Sequence, residues 1–203
     1  TGVNRRIGEK LGFDTMKILS PKRGLLKKLV VFVPHADAEE MSNALFAAGA
    51  GTIGQYDECS FALKGHGTFR GSEESNPAVG KKGERHKEPE TRLEFIVEQH
   101  KVSAVLKTMW EAHPYEEVAY DVYPLENAHQ EIGSGMIAAY HQPKYAMDFL
   151  KQVKDTFGGV VRHTALVKDE IRKVAWCGGS GSFLLPQAKA AGADVFLTSD
   201  FKY

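Results

Sequence analysis

The chain has 203 residues, 42% hydrophobic and 26% charged, enough for one large or two small domains. Its 26 basic and 26 acidic residues cancel, which argues against a nucleic-acid or anionic-membrane partner, and no apolar run approaches the length that spans a bilayer. The two cysteines, Cys59 and Cys177, are far apart in sequence, which points away from a disulfide framework and toward a reducing cytoplasm.

Thr1-Gly2-Val3-Asn4-Arg5-Arg6 has no apolar h-region, so no secretory signal is expected. A chain that starts with Thr and stops three residues after Asp200 is expected to be a piece of something longer. Residues 3–12 read as a helix, with Val3, Ile7 and Leu11 on one face and Gly12 ending it, and Ser20-Pro21-Lys22-Arg23-Gly24 as a linker. Lys27 to Pro34 holds a short continuous apolar run, Leu29–Val33, closed by Pro34, the pattern of a strand buried on both faces. Residues 37–48 carry Met41, Ala44, Leu45 and Ala48 on one helical stripe, closed by Gly49 and Gly51. Cys59, Phe61 and Leu63 alternate as a strand does; Gly65-His66-Gly67 reads as a turn and Thr68-Phe69-Arg70 as a return. Residues 71–90 are polar, contain Pro77 and Pro89, and predict a long loop, mobile in part. A strand over Thr91–Val97 puts Leu93, Phe95 and Val97 inward and Arg92 and Glu94 outward. A helix over 101–112, stopped by Pro114, precedes a closing strand from Glu117 to Tyr123. The order β-α-β-β-α-β over about residues 26–125 predicts a ferredoxin-like α+β unit.

After Pro124 the character changes. Gly133-Ser134-Gly135 breaks the chain, and Ala146, Phe149, Leu150, Val153 and Phe157 mark an amphipathic helix ended by Gly158-Gly159. Strands are expected near Val160–Ala165 and Ile171–Cys177, then a glycine turn, a helix over Leu184–Ala191 and a last strand ending in Ser199 and Asp200. This is a second, α/β unit over 126–203, to which residues 1–22 are assigned because the middle unit closes without them.

The candidate site lies at the carboxyl ends of the last two strands, where open α/β sheets place ligands. The glycines of Gly178-Gly179-Ser180-Gly181 let backbone approach an anion, and N–H groups at the following helix start attract phosphate; a tight turn with no ligand explains them equally. Ser199 and Asp200 face that turn: Asp200 can orient a metal-bound histidine or accept a proton, or can cap a following helix. His113-Pro114-Tyr115-Glu116-Glu117 reads as architecture rather than chemistry. The other histidines, His35, His66, His86, His100, His129, His141 and His163, show no metal-ligand spacing, and the cysteines read as small buried apolar groups.

Four segments together resemble a known family: Gly2-Val3-Asn4 opening a helix; Ala50-Gly51-Thr52-Ile53-Gly54 before Cys59-Ser60-Phe61; His113-Pro114-Tyr115-Glu116-Glu117 with Ala119-Tyr120-Asp121; and Gly178-Gly179-Ser180-Gly181 with Ser199-Asp200. The likeness is to the dinuclear-metal-centre proteins, also called the NGG-interacting-factor-three-like family or GTP cyclohydrolase type 2 homologs. It implies an α/β core interrupted by an inserted ferredoxin-like domain similar to the PII and CutA proteins, a homohexamer, and two divalent metal ions. It also implies a metal-dependent hydrolase of nucleotides or other phosphate-bearing small molecules, or else a non-catalytic regulatory protein that senses a small molecule or binds a partner. The family's ligands are a histidine pair in an early segment, an Asp just before the Gly-Val-Asn helix, and a late His and Glu. None maps onto this chain, so the resemblance assigns no metal ligand here and gives Ser199 and Asp200 a supporting role.

Overall fold

The computed structural model describes residues 2–75 and 78–201. They form two compact units: residues up to Lys22 together with Gln130 onward, and Arg23–His129.

In the first unit, α1 (Val3–Lys10) leads into β1 (Lys17–Pro21), and the chain returns as β6 (Gly133–Tyr145), α4 (Ala146–Phe157), β7 (Glu170–Ser180), α5 (Leu185–Ala190) and β8 (Val195–Asp200). The sheet order is β1-β6-β7-β8; the first two pairings are antiparallel and β7·β8 is parallel. Its core joins Leu11, Phe13, Phe149, Val153, Ile171, Val174 and Trp176. Phe13 stacks on the Trp176 ring at 5.3 Å and meets Tyr140 at 4.4 Å. Trp176 is fully buried and donates its indole N–H to the Asn4 carbonyl at 2.7 Å, the partner a buried indole requires.

The second unit runs β2 (Leu26–Pro34), α2 (Ala38–Ala47), β3 (Ser60–Arg70), β4 (Arg85–Glu98), α3 (Val102–Ala112) and β5 (Tyr120–Pro124). Its sheet, β3-β4-β2-β5, is antiparallel throughout, the ferredoxin-like order. Alternation along β4 buries Thr91, Leu93, Phe95 and Val97, and the last three pack with Met41 and Leu45 of α2 and Val105 and Met109 of α3. The opposite face carries Phe61 and Leu63 of β3, 57% and 49% exposed.

Several expectations are corrected. Gly65-His66-Gly67 is not a turn: β3 continues to Arg70, paired residue by residue with β4. The predicted loop ends early, because Arg85–Glu90 is already β4; Asn76 and Pro77 lie outside the described residues. Ser20 and Pro21 belong to β1 rather than to a linker, and Gly133-Ser134-Gly135 opens β6 instead of breaking the chain. Residues 160–165 form no strand, and the last strand of the second unit starts at Tyr120, not Glu117.

The crossings between units are closed by backbone bonds on each side. Within the first unit Lys22 N–H donates to the Ile132 carbonyl at 2.8 Å, beside the Pro21↔Gly133 pair. Within the second, Leu125 N–H donates to the Leu26 carbonyl at 3.0 Å, beside Lys27↔Pro124.

Candidate functional site

The parallel β7·β8 pair brings the predicted residues together. Register runs from Val174↔Val195 to Cys177↔Thr198, shifts, and resumes at Ser180↔Asp200. That shift lies within Gly178-Gly179, so the glycines form an irregularity inside the strand end rather than a free turn before a helix. Gly179 takes φ +83°, a conformation that side chains resist. At Gly181 a Cβ would stand 2.7 Å from Cys177 Cβ and 2.8 Å from Thr198 Oγ1, so any larger residue would push the segment off the neighbouring strand.

The Gly179 carbonyl is the hub. It accepts from the Thr198 hydroxyl at 2.8 Å and the Ser199 hydroxyl at 3.0 Å, while Gly181 N–H donates to the Asp200 carbonyl at 3.4 Å. Because a trans peptide points its N–H opposite its C=O, the Ser180 N–H is turned away from β8. Gly179, Ser180, Ser199 and Asp200 are all exposed.

The helix expected over Leu184–Ala191 is α5, Leu185–Ala190. Ser182–Leu184 is a single 3₁₀ turn and α5 has only six residues, so it lacks the aligned peptides that make a strong anion site. Gly178 N–H is committed to the side chain of Asn4, whose Oδ1 accepts it at 2.6 Å. Sequence reading met Asn4 only as part of the Gly2-Val3-Asn4 signature. Its side chain and carbonyl tie α1 to Gly178 and Trp176, so α1 holds the glycine segment in place. Thr198 was not singled out; an alternating strand end gives no cue that one hydroxyl will grip a carbonyl across the sheet.

Among the described residues no three His, Cys, Asp or Glu side chains converge where they could hold a metal ion. Cys177 is buried, and burial pushes its thiol up, away from the thiolate a nucleophile needs. Both cysteines are free thiols.

His113 is architectural. It is 8% exposed, donates Nε2–H to the Phe32 carbonyl at 2.9 Å and accepts the Tyr115 N–H at Nδ1 at 3.1 Å. Both ring nitrogens are therefore committed to the backbone of the same unit.

A ferredoxin-like unit and an α/β unit with a polar-lipped parallel strand pair define a two-unit mixed α/β chain whose candidate site lies in the α/β part. The chain belongs to the Duf34/NIF3 (NGG1p interacting factor 3) family, whose model matches residues 1–203. It is 41% identical over its whole length to a GTP cyclohydrolase 1 type 2 homolog of Halalkalibacterium halodurans and 37% identical to one of Bacillus subtilis, covering 55% of each. A solved Bacillus cereus protein related to NIF3 is 40% identical with TM-score 0.80, matched over all of this chain and 54% of its own. The chain therefore spans about half the length of the relatives it matches.

Proposed function

We propose that this chain is part of a dinuclear-metal-centre hydrolase acting on a nucleotide or other phosphate-bearing small molecule, its α/β core interrupted by an inserted domain of PII/CutA-like kind. The reading is supported chiefly by the junction at Gly179, where the Gly178-Gly179-Ser180-Gly181 segment, exposed at Gly179 and Ser180, is hydrogen-bonded to the Ser199–Asp200 strand end. On this reading the glycine segment contacts phosphate through backbone such as the Ser180 N–H, and Asp200, with Ser199, orients a group of the metal site. The two divalent ions are held by residues in the part of the relatives that this chain does not span. The names of the curated relatives suggest a GTP-like substrate, and the free cysteines suit the cytoplasm. The test is metal analysis of the full-length protein, then a nucleotide hydrolysis screen with and without chelator. Bound divalent metal, chelator-sensitive turnover and a loss of about tenfold or more in Asp200→Asn are expected. Metal-free protein without turnover, or unchanged rates in Asp200→Asn and Ser199→Ala, would overturn it.

A second reading, a non-catalytic oligomeric regulator with a small-molecule-sensing second unit, is favoured by one observation. The helix-free face and edge of the second unit expose Phe61, Leu63 and Tyr123, apolar area that a partner surface would cover. A homohexamer would use it. Leu63→Lys should then lower the mass measured by light scattering; an unchanged oligomer would remove this support.

A further inference from the structure

The β3–β4 ladder outruns its sheet. β2 stops at Pro34↔Glu90, so Arg85–Pro89 pairs only with β3. The segments His66–Arg70 and Arg85–Pro89 thus form a two-stranded arm rooted at the Gly65↔Glu90 pair, a structure that is marginal in water unless something packs on it. One face of the arm carries Gly65, Gly67 and Phe69 from β3 and His86, Glu88 and Glu90 from β4. Tyr115 lies against that face, its ring 6.4 Å from Phe69 and 5.1 Å from His113, the histidine that fixes its backbone.

At the centre is Glu90. Its Oε2 occupies the space a Cβ on Gly67 would fill, so this glycine admits the carboxylate between the strands. The Tyr115 hydroxyl is buried and lies outside standard hydrogen-bond geometry from any acceptor, while Glu90 faces it closely enough for each to shift the other's titration. We infer that Glu90 is a proton-controlled latch: with its carboxyl protonated the arm is held against Tyr115, and with the carboxylate ionised the arm loosens.

The charges around it set the sign. From the 113–115 segment Tyr115 favours the ionised form, and positive charge on His113 or on His35, which is bonded to Thr91 at 2.8 Å, acts in the same direction. Loss of water opposes ionisation, and so does Glu88 two residues along, itself bonded to His86 at 2.7 Å. Asp37 adds negative charge on the Tyr115 side, Arg92 is turned to Glu94 at 3.0 Å, and β3 brings no charge to this face between Gly65 and Phe69. Desolvation is the largest of these effects, and the carboxyl is held above its ordinary value. An acid weakened in the closed arm favours closure when protonated, so closure is lost as pH rises through Glu90's value in the closed state.

The test is amide exchange in the full chain between about pH 4 and about pH 7, corrected for intrinsic rates, reading the arm amides against those of Phe95 and Val97. Arm protection in the wild type should fall by roughly three- to tenfold over that range while the core amides hold. Glu90→Gln should be well protected and flat with pH. Gly67→Ala, which forces the carboxyl out, should be poorly protected and flat. A flat wild-type arm, or a Glu90→Gln arm that follows the wild-type course, would overturn the inference, the second by assigning the titration to Glu88 and His86.

Discussion

Asp194, between α5 and β8, offers a direct test of how the first unit is held together. Its carboxylate accepts the backbone N–H groups of Arg172 and Lys173, each at 2.9 Å, and the Lys168 ammonium at 2.5 Å, while its own N–H donates to the Lys173 carbonyl at 2.8 Å. Asp194 thereby locks the start of β8 to the first half of β7. The side chain is only 14% exposed. Burial works against the charge, but Lys168 and the two N–H groups prevail and pull the carboxyl down to about 2. Set against an ordinary aspartate, and discounted for the solvent that reaches its edge, the ionised form stabilises the fold by about 1 to 2 kcal/mol. A depressed carboxyl contributes this fully above the unfolded value near 4, and the contribution is lost as pH falls toward 2. Asp194→Asn keeps the shape and removes the charge. Urea unfolding followed by the fluorescence of buried Trp176, in a Trp110→Phe background, should show the full deficit at about pH 7 and about pH 5, shrinking below about pH 4. A deficit that does not change with pH, or none at neutral pH, would refute the reasoning.

Three further outcomes are expected. Gly8→Ala should cost about 1 to 3 kcal/mol in the same assay, because the new methyl would stand 2.5 Å from Trp176 Cζ2. Asn4→Ala should cost about 1 to 3 kcal/mol and speed exchange at Gly178, whose N–H loses its acceptor. Phe95→Ala empties the fully packed centre of the second unit, where Phe46 meets Phe95 edge-on at 5.5 Å, and should cost about 3 to 5 kcal/mol by calorimetry.

Where burial is one-sided, the pattern was legible. β4 from Thr91 onward, α3 and α4 each show the periodicity that solvent on one face imposes, and the structure puts them where that periodicity points. The misses share a cause: a strand is a partnership, and one strand's composition does not declare its partner. Arg85–Glu90 has no apolar face because the side it turns inward carries His86, Glu88 and Glu90, yet β3 pairs with every residue of it. Conversely, 160–165 is apolar enough for a strand but gains no ladder, and Val160 stays 86% exposed. Glycines misled in both units. Gly65 and Gly67 read as a turn, yet Gly67 makes room for a carboxylate, and Gly133 gives room to the β1 backbone at Ser20 and Pro21. At the candidate site the strand-end location of Gly178–Gly181 and Asp200 could be read directly, whereas the grip of Asn4 and Thr198 depends on contacts 174 and 19 residues apart.

The paired closures at the crossings make the second unit separable as a matter of chain connectivity. Lys22 and Ile132 are hydrogen-bonded neighbours at the end of an antiparallel pair, so a two- or three-residue turn in place of residues 23–131 would leave β1 and β6 as an ordinary hairpin. Leu26 and Leu125 stand in the same relation, so the excised unit would begin and end at one point. To the first unit, a body of more than a hundred residues is topologically a hairpin loop. Growth, loss or exchange of that loop changes no strand order in either sheet, which leaves a cargo position open to substitution without redesign of the host.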